Sequence, residues 1–409
     1  MKEPEFQVNE SLMLTKEEEE ILSGKHGEAK AKALEVIIRV AESLDVKRLV
    51  RIKHAHISGV SYGTIGEPGL AFIKELSSLG AKVSVPSSLN PIGFDESNPF
   101  DQEVLYITQD FYRGQMEILE NLKKMGIDLL LTCTPYYTTI FRKYGLRSGD
   151  HVAWGESSAV AYANSFLGLR TNREGGPLAL MAAIAGRTYY YGMHIPENRV
   201  PRIKYIVDLN DLGYNEVTLS LVAEYIASIH EDESPPLLHL DPRNINDTTK
   251  REIAATLGAA GNIAMIAIPG ITKEADQADI QKTIMVKDNM IMARYKELVQ
   301  DQNTNPDYYF IGCPHASEEE LEMLSKIKRG DKLIVTLSRD VYSRRMDLVQ
   351  NLVNKGATVL RSTCLIVSNL RSKNLMIATN SYKAYFYLSR KGVNVSLIDI
   401  KGIVERLGG

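Results

Sequence analysis

Cysteine is nearly absent from this chain: three occur in 409 residues. So sparse and odd a set cannot build a disulfide framework, and in a cytosolic context it reads as free, metal-binding or catalytic. Long apolar runs are also missing. No run of about 18 apolar residues exists, so no membrane-spanning helix is expected. The opening residues, MKEPEFQVNESLMLTKEEEE, are polar and acidic and lack the basic and apolar regions of a secretory signal. A cytoplasmic location is the expectation. There is no basic excess either: 48 Lys and Arg against 51 Asp and Glu give a net charge of −3. A duplex nucleic-acid binder would carry a basic stripe, so no nucleic-acid partner is expected.

What is present is a large, ordinary core. At 44% hydrophobic and 24% charged, 409 residues suffice for two or three domains. Leu12 to Val46 reads as a helical arm. Thr15 with Glu18 fits a capping box, and Gly24 and Gly27 separate it from a second helix, AKAKALEVIIRVAESL. The chain then alternates. VKRLVRI, AKVSV and IDLLLT read as strands, FIKELSSL and Gln109–Met125 as helices. The second half repeats the habit: IKYIVDL, IAMIAI, DYYFIG, KLIVTL, TVLRS, NLMIAT and NVSLI are short apolar runs, with helix-like EEELEMLSKIK and DLVQNLVNKG among them. Such alternation predicts α/β architecture, with several parallel or mixed sheets flanked by helices. The polar stretches Glu231–Pro236 and Gln300–Asp307 suggest lobes at 1–200, 201–305 and 306–409.

The cysteines sit where α/β proteins place chemistry. Cys133 follows IDLLLT, Cys313 follows DYYFIG, and Cys364 follows TVLRST. Ligands bind beyond the carboxyl ends of parallel strands, where loops converge, so three distant cysteines can meet there. A helix opening at Ser317–Glu320 is expected to favour a Cys313 thiolate. Three readings stay open: small buried hydrophobes, a zinc site completed by His315, or an iron–sulfur cubane on three thiolates with one open iron.

Two glycine- and serine-rich stretches invite an anion. In HISGVSYGTIGEPGLAFI, a loop carrying Gly59, Gly63, Gly66 and Gly69 precedes a helix, and Ser61, Tyr62 and Thr64 add hydroxyls. In AWGESSAVAYANSFLGLRTNREGGP, a helix is expected to open at Gly155–Ser158 and run to Phe166, with Ser157 and Ser158 facing a ligand. Thr171, Asn172, Arg173 and Glu174 then form a polar loop. Arg173 is the natural clamp for a carboxylate or phosphate, against the plainer reading of an Arg–Glu pair. Near the C-terminus Asn380 and Ser381 open a helix whose first turn holds Lys383, unfavourable there unless an anion is bound, the plainer reading being a solvated side chain. His54 and His56 share a face if extended, which suits a metal pair or, more simply, a core role.

These segments together resemble the aconitase X family. The likeness rests on LTKEEEEILSG, GVSYGTIGEPG, LTCTPYY, the long WGESSAVAYANSFLGLRTNREGGP motif, IGCPHAS and RSTCLIVSN, and covers most of the chain. It implies an aconitase-like core without the swivelling domain and a hydro-lyase whose cluster, a 4Fe-4S group with an open iron, is held by Cys133, Cys313 and Cys364. It implies dehydration of (R)-5-phosphomevalonate to trans-anhydromevalonate 5-phosphate in the archaeal mevalonate pathway, with Arg173 and Lys383 as catalytic residues. Substrate binding is expected at Gly59, Ser61, Tyr62, Thr64, Ile65, Gly66 and Asn90. It is also expected at Ser157, Ser158, Thr171, Asn172, Arg173, Glu174, Asn380 and Ser381, the glycine stretch and Lys383 being set aside for the phosphate. The chain begins at the large-subunit motif, so a small swivelling-domain subunit carrying the catalytic base is expected as partner. The alternatives are cis-3-hydroxy-L-proline dehydration, an iron-sensing Fe–S protein without activity, and a zinc hydrolase. TNSYKAYFYLSRKG departs from the alanine-histidine-tyrosine pattern of the bacterial enzymes, which favours the phosphorylated substrate.

Overall fold

A computed structural model describes residues 12–100, 104–299, 305–372 and 374–409. Three parallel sheets organise it. The first orders Ser87–Leu89, Ala55–Ile57 and Ala153–Trp154. The second orders Leu237–His239, Ile203–Asp208 and Lys282–Lys287. The third has five strands, in the order Thr358–Arg361, Leu333–Leu337, Tyr308–Ile311, Met376–Thr379 and Asn394–Leu397. Leu49–Arg51 pairs antiparallel with Arg187–Tyr189. This is the α/β architecture of several parallel sheets that the alternating pattern predicts. All five residues of Leu333–Leu337 are buried, as a strand covered on both faces requires. Among the described residues no helix is long and apolar enough to cross a membrane.

The local signals behave as expected at many ends. Thr15 and Glu18 form the capping box of helix Lys16–Leu22, and Glu28–Ser43 follows. The helix Ser157–Phe166 opens where the serine pair stands. Helix Glu318–Leu324 begins with a Ser317–Glu320 capping box.

Four expectations are corrected. The glycine stretch is not a loop: helix Tyr62–Ser78 already includes Gly63, Thr64 and Ile65, with one break at Gly66 (φ 55°, ψ −160°) before Pro68. Packing overrides the poor helix propensity of glycine here. A Cβ on Gly63 would stand 3.0 Å from the Phe111 ring and 3.2 Å from the Val367 carbonyl, so the absent side chain admits neighbours. AKVSV is irregular, because the amides of Val83 and Ser84 bond to Met125 and Ala183 carbonyls rather than to a ladder; the strand starts after Pro86. IDLLLT and IAMIAI each reduce to a single parallel bridge, at Asp128 and Ala267. Leu131 has φ 49°, which ends extension in the first of these. Of the candidate boundary Gln300–Asp307, residues 300–304 lie outside the described residues.

Candidate active site

Each cysteine is placed by a loop beyond the sheets. Gly312 follows strand Tyr308–Ile311 with φ 130°, and a Cβ there would stand 2.2 Å from Thr336 Oγ1. Only glycine lets the chain pass this close to the neighbouring strand before turning into Cys313. The turn is then held from two sides. Ser381 donates its hydroxyl to the Cys313 carbonyl. Arg251, on helix Asp247–Ala260, donates to the carbonyls of Pro314 at 3.1 Å and His315 at 2.8 Å, and pairs with Glu320 at 2.7 Å. The His315 amide donates to Cys133 Sγ at 3.2 Å. The Cys364 amide donates to Ile92 O at 2.8 Å.

Cys133, Cys313 and Cys364 line one cavity of about 370 Å³. Burial raises all three thiols, with the other thiols or Glu156 adding to it; Cys133 is pushed up to about 12. Burial therefore outweighs any nearby helix end, and the expected Cys313 thiolate is corrected: without a bound metal these groups are protonated. Thiols held together in an uncharged state are a donor set that deprotonates on binding a soft metal centre. Among the described residues no three His, Cys, Asp or Glu side chains are arranged around a single ion. His315 is also spent, since Nδ1 meets Thr132 Oγ1 at 3.2 Å and Nε2 meets the Thr363 carbonyl at 2.8 Å. A zinc site with His315 is thus not built. Three thiols around a shared cavity suit a cluster, whose metal atoms occupy separate corners.

Lys383 reaches the same cavity from the first turn of helix Tyr382–Arg390. It is buried and forms an ion pair with Glu156, and its Nζ lies 3.3 Å from Ser157 Oγ and 3.4 Å from Ser158 Oγ. The unfavourable helix position is thus explained by a protein carboxylate, not by a bound anion, which corrects the expectation. Burial opposes the charge of Glu156, but Lys383, Asn90 and His56 outweigh it and hold its carboxyl at about 2. Burial likewise opposes the Lys383 ammonium, and Glu156 and Cys313 more than offset this, so its pKa is raised. Behind the pair runs a buried chain. Asn90 donates from Nδ2 to Glu156 Oε2 at 2.7 Å, its Oδ1 meets His56 Nε2 at 2.9 Å, and His56 Nδ1 meets Ser88 Oγ at 2.8 Å. Burial lowers His56 to about 4, so the ring is neutral at pH 7. His54 instead accepts from Trp154 Nε1 at 3.0 Å, so the histidines form no metal pair.

Of the other expected residues, Gly59, Ser61, Thr64, Asn90, Ser157 and Arg173 line the cavity. Arg173 is exposed at its rim, donates to Asn262 Oδ1 at 2.6 Å, and pairs with no carboxylate among the described residues. The remaining residues are not at the lining. Tyr62 turns outward and donates to Glu67 at 2.6 Å, while Ile65 and Gly66 lie further along the helix. Ser158 lies behind Glu156, donating to it at 3.1 Å. Thr171 accepts from the Trp154 amide at 3.0 Å, and Asn172 from the Met193 amide at 2.9 Å. Glu174 is buried and accepts from Thr188 and Tyr189 hydroxyls; burial raises it to about 7. It does not pair with Arg173. Asn380 donates to Glu320 at 3.1 Å, and Ser381 holds the Cys313 turn. These serve as framework around the lining.

Sequence reasoning missed Glu156, Arg251 and Lys391, and gave His56 no place behind the cavity. Glu156 had a visible signal: an acidic residue at the opening of a helix with no basic neighbour in sequence. The others have none, because their partners lie far along the chain.

Comparison with known proteins followed the same lines. A family profile described as aconitase X first domain matches residues 11–197, and one described as aconitase X third domain matches 306–409. The phosphomevalonate dehydratase large subunit of Aeropyrum pernix is 47% identical, covering 96% of this chain and 99% of that protein. The cis-3-hydroxy-L-proline dehydratase of Pseudomonas aeruginosa is 28% identical, covering 95% of this chain and 69% of that protein. The crystal structure of Thermococcus kodakaraensis aconitase X in its holo-form superposes with a TM-score of 0.85 at 35% identity, covering 96% of this chain and 99% of that one.

Proposed function

The chain belongs to the aconitase X family, and from that premise we propose that it is the large subunit of a hydro-lyase that dehydrates (R)-5-phosphomevalonate to trans-anhydromevalonate 5-phosphate. The observation that carries this reading is the meeting of three cysteines, from three distant segments, at one cavity that also holds a buried lysine. The phosphorylated substrate is supported over hydroxyproline by the relatives' names: five archaeal relatives at 33–47% identity bear the phosphomevalonate name, against 28% for the hydroxyproline enzymes.

In the reaction the C3–O bond and a C2–H bond break, the C2=C3 double bond forms, and water leaves. An iron–sulfur cluster on Cys133, Cys313 and Cys364, with one iron free of protein ligands, supplies Lewis acidity toward the departing hydroxyl when bound. The chain's own residues do the rest of the positioning. Arg173 offers a planar fork to the carboxylate beside C2, where negative charge grows as the proton departs. Lys383, kept charged by Glu156, lines the cavity and presents its ammonium there as a fixed hydrogen-bond donor. Glu156, Asn90 and His56 hold that ammonium in place through their hydrogen bonds.

Neither member of the buried pair is free to act as a base at C2, because Lys383 is protonated and Glu156 is committed to it. The name of the archaeal relatives as large subunits supports a small partner subunit. The Pseudomonas enzyme, of which this chain matches 69%, extends beyond the matched region, which supports a base supplied by a partner of swivelling-domain type. The test is anaerobic co-expression with and without the small subunit. Iron and acid-labile sulfide should be found on this chain, and product should form only with the partner present. One zinc and no sulfide, or full turnover by the isolated chain, would each refute its part of the reading.

A further inference from the structure

The cavity carries three cations, and they are not equivalent. Lys383 is neutralised by Glu156. Arg173 and Lys391 pair with no carboxylate among the described residues, although both line the cavity. Arg173 rests on the neutral amide of Asn262, and Lys391 on the backbone carbonyl of Ile366. A site with two uncompensated cations is complementary to a ligand with two separate anionic groups. The carboxylate and the 5-phosphate of the proposed substrate flank C3 in this way.

The surroundings of Lys391 distinguish it from Arg173. Ile366 belongs to the short turn Leu365–Val367 that follows Cys364. That turn packs on the opening of helix Tyr62–Ser78, since a Cβ at Gly63 would stand 3.2 Å from the Val367 carbonyl. Ser61 and Thr64, on this opening, line the same cavity. Ser61 is the residue that precedes the helix, yet its hydroxyl caps no helix amide. It is 2% exposed, and its Oγ has no hydrogen-bond partner among the described residues. A buried hydroxyl without a partner is costly unless a ligand completes it. Thr64 donates to the Ser61 carbonyl at 2.8 Å, so its proton is already spent, whereas that of Ser61 is not.

We propose that Ser61 and Lys391 form the phosphate subsite of the cavity, and that Lys391 is the residue that selects a phosphorylated substrate. A lysine with a hydroxyl donor suits the oxygens of a phosphate, whereas the planar Arg173 fork suits the carboxylate. Lys391 thus takes the role that the sequence pattern assigns to Lys383. The inference rests on the proposed reaction for its substrate but on the cavity alone for its ligand chemistry.

The experiment compares Lys391→Ala, Lys391→Arg and Ser61→Ala in the anaerobic two-subunit complex. Lys391 is exposed at the end of helix Tyr382–Arg390, so its replacement leaves the core intact. Lys391→Ala should raise KM for phosphomevalonate by about 10- to 100-fold with a much smaller change in kcat, and Lys391→Arg should restore most of it. Ser61→Ala should raise KM by a few-fold, about the worth of one hydrogen bond. Binding of inorganic phosphate to the full chain, followed by phosphorus NMR, should weaken in parallel. Unchanged KM and unchanged phosphate binding in Lys391→Ala overturn the subsite. If the wild-type complex makes no product, the proposed reaction fails, and phosphate binding by the wild-type and Lys391→Ala chains still decides the subsite.

Discussion

Lys383 and Glu156 form a buried ion pair although 227 residues separate them in sequence. Lys383 lies in helix Tyr382–Arg390, and Glu156 precedes helix Ser157–Phe166. The pair therefore ties together the two segments that also carry the cysteine loops, and it sets a buried ammonium beside them whose charge is matched by the carboxylate.

The pair makes stability depend on acidity. Glu156 has a folded value of about 2, below its ordinary 4.5. A depressed carboxyl stabilises the fold above its unfolded value, and that contribution is lost as pH falls from about 4.5 through about 2. Glu156→Gln should lower stability at pH 7 by about 3 kcal/mol, the penalty for leaving a buried lysine unpaired. Denaturant titrations at pH 7 and below pH 4 should show the gap between wild type and variant closing in acid. A gap that persists unchanged at pH 2 would refute the assignment.

The cysteines permit a cleaner separation of metal from fold. Cys133→Ser, Cys313→Ser and Cys364→Ser should each abolish the visible absorbance of the anaerobic protein together with activity. Circular dichroism should change little, because the apolar cores that pack the sheets are built from residues other than the cysteines, save Cys313, where serine keeps the size of the side chain. Full activity in two of the three variants would disprove the three-cysteine cluster.

Arg173→Lys retains charge but loses the fork. Turnover should fall by about 10- to 100-fold with the absorbance intact, since the side chain is held by Asn262 rather than by a cysteine loop. An unchanged kcat/KM would move the carboxylate site elsewhere.

Arg251 tests whether the Cys313 turn is held from outside. It is 1% exposed, pairs with Glu320 and donates to the Pro314 and His315 carbonyls. Arg251→Met strands a buried carboxylate and should cost about 3–5 kcal/mol, while also lowering the cluster content of purified protein. Adding Glu320→Met should recover much of the stability but not the cluster content, because the carbonyl clamp stays lost. Thermal unfolding and iron analysis of the two variants separate these effects.

Local order along the chain was legible from the sequence. The Thr15 cap, the helix opening at Ser157, the capping box at Ser317 and the strand Ile203–Asp208 with the five of the last sheet follow from side-chain periodicity and short-range hydrogen bonds, which act within a few residues, whereas Leu237–His239 and Lys282–Lys287 went unread. The positions of the cysteines past the apolar runs were legible for the same reason. Tertiary structure alone decided what meets them. Gly63 lies in a helix because a phenylalanine and a distant carbonyl pack against it, against the preference of its own sequence. Glu156 neutralises Lys383, Arg251 holds the Cys313 turn, and Lys391 rests on the turn after Cys364, and in each case the partner lies outside any local window. Periodicity reports which face of an element is buried; the charge found across the cavity depends on how three sheets pack, and that information exists only in the folded chain.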